Sequence, residues 1–417
     1  MSQVFLVCLT AGAVTLSAHF AVAADLSGPD LAARDAENKR LSQELMQQPN
    51  ELSQPPTSQY NHFITYGQSL ASAAEGWPAL SVDPGYDNLM VGDSTRSGTT
   101  SGGAFRPVGG AAFKPLRAVV QQHLKGDVLL SQQQVAQLDQ HNQAEGEPVE
   151  VGAVNMARRL YLRGLGRDAD ADHVFLASNA ATSGRSVSQL VKGGDYDEYK
   201  RVTGAVNQAS ALAEDEDASY SISAFFWLQG EYDYSHANGG INDKQRYKRY
   251  MRQLRQDLNQ DTAVAVAGQE LMPVFLTYQT DAKHSREDGT LAVGMAQWEL
   301  AQEEPNWFLA GPVYQYVDKG GHLSANGYRW FGQMLGKVYH HVAVERRQWQ
   351  PLAPRRATVT GQSIYLDFHV PHPPLAFDQA YIGDRGTDIE HQGFRVYEGD
   401  KEVGISAVEI VGDTVGR

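Results

Sequence analysis

The chain is poor in cysteine, with Cys8 as the single thiol among 417 residues. If the N-terminal segment that carries it is removed, a disulfide framework, a cysteine-ligated metal site and a cysteine nucleophile are all excluded. Basic residues are also few, since 35 Lys and Arg stand against 49 Asp and Glu, giving a formal net charge of -14. Because phosphate binding requires a basic surface, this balance argues against a nucleic-acid partner.

Long apolar runs are lacking as well. The apolar stretch that starts at Val4 is too short and too poorly flanked for a membrane-spanning helix. It is followed by Ala21-Val22-Ala23, a small-x-small pattern typical of signal-peptide cleavage. No Lys or Arg precedes the stretch, so a mis-assigned start codon and a plain buried segment remain alternatives. We predict a signal peptide over residues 1–23, export to the periplasm or the medium, and no integral membrane segment in the mature chain.

The rest of the composition is that of a globular protein, with 42% hydrophobic and 20% charged residues. Residues 24–58 are polar and predict an N-terminal arm. Strand-like and helix-like segments alternate over residues 59–346, which predicts one α/β domain. Residues 347–417 contain strand-like alternation without a helical pattern and predict a small all-β module.

The α/β region has the pattern of a doubly wound fold. Strands are predicted at 60–66, 173–178, 219–230, 273–279 and 307–317. Helical spacing is present at 111–124 (despite Pro115), 149–162, 197–213, 245–258, 290–302 and 323–345. Strands that alternate with helices favour parallel crossovers, so we predict a three-layer α/β/α fold with a doubly wound parallel sheet.

A serine follows the first predicted strand, in Gly67-Gln68-Ser69. A turn serine taken alone more often caps or closes a loop than performs chemistry. A nucleophilic serine needs a base within hydrogen-bond reach, and that base needs an acceptor that fixes its tautomer. His322 lies just before the last predicted helix, with Asp318 four residues upstream. These two residues are the candidate base and acid.

Two other predicted strands end in groups that suit an oxyanion. Gln229 and Glu231 flank Gly230, and the Gln229 amide can donate to a developing negative charge. Gly184 follows the second strand, where its backbone N–H can do the same. For each residue taken alone, an ordinary role in a turn or strand end is at least as frequent. Parallel strands bring their carboxyl ends to one edge, so we predict that these residues lie together.

The order serine, glycine, amide, histidine resembles that of the SGNH hydrolases, specifically the carbohydrate esterase branch with sialate O-acetylesterase-like proteins. The stretches YGQSLA and WLQGEYD match its Gly-Gln-Ser and Trp-x-Gln-Gly-Glu blocks, and the segment from Gly146-Glu147 is similar to a helix segment of such proteins. The resemblance covers about residues 60–345. It implies an SGNH (flavodoxin-like) fold in which Ser69 is the nucleophile and His322 is the base. The Ser69 N–H, the Gly184 N–H and the Gln229 amide would form the oxyanion hole. Gln68 and Glu231 would order the site.

The sequence departs from that branch at two places. Leu70 stands where many relatives have asparagine. The family's acid normally lies three residues before the histidine, a position that Lys319 takes here, with Asp318 one residue earlier. Gly320-Gly321 can let the loop bulge so that Asp318 still reaches the imidazole. A Ser-His dyad, with His322 oriented by a backbone carbonyl, is the open alternative.

The resemblance implies a serine esterase that removes O-acetyl groups from a carbohydrate through an acetyl-enzyme, without a metal or organic cofactor. Two other functions stay open: a lipase or thioesterase on other acyl esters, and a non-catalytic glycan-binding protein. A chelating pair at His340-His341 is not predicted, because adjacent residues do not share a helix face. The glycine- and serine-rich residues 92–105 lack the phosphate-loop lysine pattern and predict a loop at the mouth of the pocket.

Overall fold

A computed structural model describes residues 4–8, 16–17, 28–139, 144–235, 239–280, 291–316, 321–377, 390–399 and 401–417. The strands in chain order are β1 (Val4–Cys8), β2 (Leu16–Ser17), β3 (Tyr60–Gly67), β4 (Leu89–Val91), β5 (Phe113–Pro115), β6 (Gln121–Gln122), β7 (Lys125–Leu129), β8 (Ala144–Glu145), β9 (Val174–Asn179), β10 (Tyr220–Leu228), β11 (Val274–Gln279), β12 (Trp307–Pro312), β13 (Ala353–Thr360), β14 (Ser363–His369), β15 (Phe394–Glu398), β16 (Lys401–Val403) and β17 (Val415–Gly416).

The α-helices are α1 (Gly28–Gln47), α2 (Ser69–Ser72), α3 (Gln132–Val135), α4 (Val149–Leu165), α5 (Val187–Leu190), α6 (Tyr199–Asp215), α7 (Lys244–Leu258), α8 (Ala292–Glu303) and α9 (Ala325–Tyr339). A π-helical turn extends α7 over Asn259–Val264, another extends α9 over His340–Val344, and a 3₁₀ turn covers Glu231–Tyr234.

Seven strands form the central sheet in the order β12-β11-β10-β3-β9-β4-β5. The pairs from β12 to β4 are parallel, and β5 is antiparallel to β4 at the edge. The neighbours of β3 are β10 and β9, which come later in the chain, so the strand order reverses around β3. The predicted doubly wound α/β sheet is confirmed, and the switch in strand order places the end of β3 where such sheets form their sites.

Helices cover both faces of this sheet. Successive residues of a strand face opposite sides, and accordingly Phe63 belongs to the apolar core under α4 and α9, whereas Ile64 belongs to the core under α6, α7 and α8. The strands between the two cores are almost wholly buried, and β3 buries the polar residues Asn61, His62 and Thr65 along with its apolar ones. These buried strands give the loops at their carboxyl ends a rigid support.

The helix predicted over residues 111–124 is wrong. This segment instead forms β5 and β6 with a connection between them, and the Leu116 N–H donates to the Asn88 carbonyl at 2.8 Å. Pro115 lacks the N–H that a helix interior needs, but an edge strand tolerates it. The spacing of apolar residues alone does not distinguish the two outcomes here.

The polar residues 24–58 contain the long helix α1, which lies against β14. Arg34 donates from Nε to the Asp367 carboxylate, and Asp35 accepts from the backbone N–H and the hydroxyl of Thr414, both at 2.7 Å. Helix α1 is therefore bonded to the part of the chain that follows the α/β region. The predicted boundaries of the arm, the α/β domain and the β-module stay predictions.

Small antiparallel sheets follow the α/β region, as predicted. One has the order β13-β14-β17, and in the other β15 pairs with β16 as a hairpin and with β1. The predicted signal peptide falls largely outside the described residues, so it remains a prediction. In the part of the chain that is described, no helix combines the length and apolar character needed to cross a membrane.

Candidate active site

The nucleophile candidate is placed by the end of β3. Gly67 pairs with Leu228 of β10, and its backbone has a φ of +147°. A Cβ atom at this position would lie 2.1 Å from the Leu228 carbonyl oxygen, so only glycine lets the two strands approach this closely. The chain then turns into the short helix α2, and Ser69 is the first residue of that helix.

Ser69 and His322 are in direct contact across the rim of the sheet. The Ser69 Oγ lies 2.8 Å from the His322 Nε2, and the Glu75 Oε2 lies 3.1 Å from the His322 Nδ1. An ionised carboxylate only accepts hydrogen bonds, so with Glu75 ionised the Nδ1 atom carries the proton and Nε2 accepts from the serine hydroxyl. This arrangement of hydroxyl, imidazole and carboxylate is the one a serine hydrolase requires.

Glu75 lies in a tight turn that directly follows α2. Both Ala73 and Glu75 have left-handed backbone angles, with φ of 62° and 61°. The turn is fastened to the β8 segment: the Glu75 N–H donates to the Ala144 carbonyl at 2.9 Å, and the Gly146 N–H donates to the Ala73 carbonyl at 3.0 Å. A Cβ atom on Gly146 would lie 2.1 Å from the Gly76 carbonyl oxygen. The two segments therefore fit together only with glycine at 146.

Gln68, which precedes the nucleophile, connects two loops. Its Oε1 atom accepts hydrogen bonds from the backbone N–H groups of Gly230 (3.3 Å) and Tyr232 (3.0 Å). Gln68 is nearly buried, and its own N–H donates to the Leu228 carbonyl at 3.0 Å. The side chain thus fixes the loop after β10 relative to Ser69.

Gln229 is fully buried, and its amide bonds to other groups of the protein. Its Nε2 donates to the Asp233 carboxylate and to the Arg185 carbonyl (3.3 Å), while its Oε1 accepts from the Tyr247 hydroxyl at 3.1 Å. Burial raises the pKa of Asp233 to about 6, although the Gln229 amide and two backbone N–H groups favour its ionised form. Both amide hydrogens of Gln229 are thereby used inside the protein, and its role in an oxyanion hole remains a prediction.

Gly184 lies beside the turn that carries Ser69. The Thr182 N–H donates to the Gly67 carbonyl at 3.0 Å, and the hydroxyls of Ser183 and Ser72 are 3.1 Å apart. Within the described part of the chain, the backbone N–H groups of Ser69 and Gly184 have no protein acceptor. Two donors near the nucleophile are thus available to another acceptor.

Glu231 is buried in the loop after β10. Its Oε2 accepts from the Tyr278 hydroxyl, and burial raises the pKa of Glu231, an effect that the nearby His322 partly offsets. The side chain does not bond to Ser69 or His322 among the described contacts. Its place agrees with the predicted role of ordering the site, which remains a prediction.

Sequence reasoning missed Glu75. It sought the acid near the histidine in the chain, whereas Glu75 lies six residues after Ser69. A carboxylate on the nucleophile's own turn is the signal that was present and not used. Asp318 lies outside the described residues, so its assignment as the acid stays a prediction.

A polar cavity of about 20 Å³ lies next to α2. Ser72 and Ser183 border it, together with the side chains of Arg96, Arg201 and Glu145. Its volume is about that of one water molecule. Several of its lining residues come from the 92–105 stretch, which was predicted to lie at the mouth of the pocket. Among the described residues, no cluster of three or more His, Cys, Asp or Glu could hold a metal ion.

A family model described as "Carbohydrate esterase, sialic acid-specific acetylesterase" matches residues 167–341. The match covers less than half of the 417 residues, so the chain is similar to this carbohydrate esterase family over that part. The matched part of the chain contains Gly184, Gln229, Glu231 and His322, whereas Ser69 and Glu75 lie before it. The resemblance stated from the sequence is therefore confirmed. No curated protein sequence is similar enough to count as a match.

Solved structures are similar to this chain at low sequence identity. A carbohydrate acetylesterase from Xanthomonas citri is 14% identical, with 86% of this chain and 72% of that chain covered and a TM-score of 0.49. A protein from Arabidopsis thaliana is 14% identical, with 68% and 98% covered and a TM-score of 0.42. A carbohydrate acetylesterase family member from Sinorhizobium meliloti is 12% identical, with 68% and 99% covered and a TM-score of 0.32. These scores lie below 0.5, so the fold is taken from the chain's own sheet topology.

Proposed function

We propose that this protein is a carbohydrate esterase that removes O-acetyl groups from a carbohydrate by a serine-based, two-step reaction. The observation that carries the proposal is the 2.8 Å contact between the Ser69 Oγ and the His322 Nε2 at the carboxyl ends of the parallel strands. The family match supports ester hydrolysis, and the substrate and the mechanism are our inference from the residues.

In the first step the Ser69 Oγ forms a bond to the acetyl carbon while the His322 Nε2 takes its proton. The negative charge that develops on the carbonyl oxygen is stabilised by the Ser69 and Gly184 N–H groups, for which the described residues provide no other acceptor. The bond to the sugar oxygen then breaks, and the imidazolium returns its proton to that oxygen. The sugar leaves as an alcohol, and the acetyl-enzyme remains.

In the second step a water molecule adds to the acetyl carbon as His322 takes one of its protons. Collapse breaks the bond to the Ser69 Oγ, which regains a proton from His322, and acetic acid is released. Each proton taken is returned, so the cycle needs no cofactor. This agrees with the expectation from the sequence, which remains a prediction.

The small polar cavity beside α2 is not lined by Ser69 or His322, so it does not define where the acyl group binds. An acetyl group is the acyl group that the matched family model implies, whereas a fatty acyl chain would require a long apolar cavity. Acetyl esters are therefore expected to react faster than longer acyl esters. This comparison separates the proposed function from that of a lipase.

The test is acetate release from acetylated glycans and from an aryl acetate by the purified protein and by Ser69→Ala. We expect activity in the wild type and a loss of at least about 10³-fold in the variant, since the nucleophile is removed. Ser72→Ala is a matched control: its hydroxyl bonds to the Ser69 carbonyl and to Ser183. We expect this control to retain activity within about tenfold.

Three outcomes contradict parts of the proposal. Equal inactivity of the wild type and Ser69→Ala on all esters, with binding of acetylated glycans retained, would indicate a glycan-binding protein. Faster hydrolysis of octanoyl than of acetyl esters would indicate a lipase-like enzyme. Activity in Ser69→Ala equal to that of the wild type would remove Ser69 from the mechanism.

A further inference from the structure

We infer that Glu75 is the residue that positions His322, so that the esterase carries its acid on the same turn as its nucleophile. The inference rests on the proposed function, since positioning matters only if His322 acts as a base. It assigns to the nucleophile's turn a role that the sequence had placed at Asp318 or at a backbone carbonyl.

The contact between Glu75 and His322 has the geometry that an orienting acid requires. The Glu75 Oε2 lies 3.1 Å from the Nδ1 atom, on the opposite side of the ring from the Nε2 atom that faces Ser69. The carboxylate therefore fixes the tautomer in which Nε2 is free to accept the serine proton. It also lies beside the positive charge that the ring acquires during the reaction. Both side chains are about one-quarter exposed, so the pair lies at the edge of the site rather than deep in the core.

The backbone around Glu75 supports a dedicated role. Glu75 and Ala73 both have left-handed backbone angles, which non-glycine residues seldom adopt. Such conformations persist where the surrounding structure determines them, and they are frequent at active sites. Here the bonds from Glu75 to Ala144 and from Gly146 to Ala73 hold the turn in place. The unfavourable backbone is thus maintained where it directs a carboxylate at the catalytic imidazole.

Other bonds fasten the same turn. The Tyr328 hydroxyl donates to the Ala74 carbonyl at 3.0 Å, and the Glu147 N–H donates to the Gly76 carbonyl at 2.8 Å. Tyr328 belongs to α9, the helix that His322 precedes. The turn is therefore bonded directly to the helix that follows the histidine. This bond keeps Glu75 and His322 in a fixed position relative to each other. The same bonds explain the Gly146-Glu147 segment that the sequence singled out, because it supports this turn.

The experiment compares Glu75→Ala with Asp318→Ala in steady-state hydrolysis of an aryl acetate. We expect kcat to fall between about 10²- and 10⁴-fold in Glu75→Ala, with KM changed less than about threefold, because only the orientation and charge of the base are affected. We expect Asp318→Ala to stay within about threefold of the wild type. Glu75→Asp keeps the charge on a shorter side chain, so its kcat should be at least tenfold higher than that of Glu75→Ala. Glu51→Gln is the matched control, because Glu51 is an exposed glutamate outside this turn.

A second measurement does not depend on turnover. In a Ser69→Ala background, proton NMR is expected to show a hydrogen-bonded Nδ1–H signal of His322 at low field. When Glu75→Ala is added to this background, the signal should disappear. When Asp318→Ala is added instead, the signal should persist. If Glu75→Ala fails to fold, judged by its thermal unfolding midpoint, the isosteric Glu75→Gln variant replaces it.

The outcomes separate this inference from the proposed function. A kcat in Glu75→Ala within threefold of the wild type, or a loss in Asp318→Ala as large as that in Glu75→Ala, overturns the role of Glu75. Persistence of the Nδ1–H signal without Glu75 overturns it as well. If the wild type cleaves no ester at all, the proposed function fails, and the NMR comparison still decides whether Glu75 holds His322.

Discussion

Two loops meet at the candidate active site, and they use similar residues in different ways. The first runs from Gly67 to Gly76 after β3, and the second runs from Gln229 to Tyr234 after β10. In the first loop, the polar side chains reach other segments: Gln68 accepts from the second loop, and both Ser69 and Glu75 bond to His322. In the second loop, Gln229 and Asp233 bond to each other and to buried backbone groups of other segments, and among the described contacts neither bonds to Ser69 or His322.

The comparison shows that a polar residue at a strand end has two possible uses. Where its bonds go to other buried groups of the protein, it stabilises the local structure, and where they go to the candidate nucleophile or base it can act in the reaction. Substitutions should therefore change activity in the first loop and stability in the second. The expectations below test that division.

The largest effect is expected for Gly146→Ala, which disturbs the support of the first loop. The new Cβ would lie 2.1 Å from the Gly76 carbonyl oxygen, so the turn that carries Glu75 must move. We expect kcat to fall at least about 10²-fold, as small displacements of a catalytic group have such effects. Steady-state kinetics and thermal unfolding measure the change. Gly164→Ala is the control, because a Cβ there meets no atom within 4 Å; equal kinetics in the two variants would contradict the expectation.

A smaller loss of activity, with a clear loss of stability, is expected for Asp233→Asn in the second loop. The Asp233 carboxylate accepts from Gln229 and from the backbone N–H groups of Val187 (2.9 Å) and Ile241 (2.7 Å). An amide in its place turns one acceptor into a donor that faces buried donors, which costs about 2–3 kcal/mol of unfolding free energy. Denaturant unfolding measures the change in unfolding free energy, and Asp127→Asn at an exposed site is the control. A fall in kcat beyond tenfold without loss of stability would break the division between the loops.

The smallest effect at neutral pH is expected for His62→Gln, in the strand that leads to the first loop. Burial lowers the pKa of His62 to about 3, so the unfolded chain binds a proton below about pH 6.5 that the folded chain does not. The unfolding free energy should therefore fall as the pH drops from 6.5 towards 3, by about 5 kcal/mol at most. His62→Gln should flatten this slope in unfolding curves measured across that range.

Asp233 acts in the opposite direction in part of this range. Its raised pKa means that the folded chain keeps a proton that the unfolded chain has released, so its contribution to stability declines as the pH rises from about 4 to 6. An unchanged slope in His62→Gln would show that His62 is not the source of the acid sensitivity. A loss of kcat at neutral pH in that variant would show that the strand transmits changes to the first loop.

Much of the fold could be predicted because its strands are apolar and its helices are amphipathic. The stretch from Tyr220 to Leu228 predicts a buried strand, and it is one. Helix α1 could not be recognised in this way, since it buries polar residues such as Arg34, Asn38 and Ser42, which form no apolar stripe. Its residues are nevertheless good helix formers, and propensity would have indicated what periodicity did not.

The contact between Ser69 and His322 could be anticipated, because strand ends of a parallel sheet converge. Glu75 could not, because its neighbour His322 lies 247 residues away and the turn that joins them depends on Ala144 and Gly146. Nor could the sequence show that the amide hydrogens of Gln229 bond to Asp233 and to the Arg185 carbonyl inside the protein. Motifs fix residue types at strand ends, whereas the direction of each side chain depends on contacts distant in the chain.

The bonds between α1 and the end of the chain have a consequence for protein synthesis. Arg34 bonds to Asp367, which is 333 residues later, and Asp35 bonds to Thr414. A ribosome that adds about 5–20 residues per second needs roughly 20 s to 1 min to cover that interval. During this time helix α1 has been made but has nothing to dock on, so the N-terminal segment stays available to chaperones or other factors until the last strands are translated.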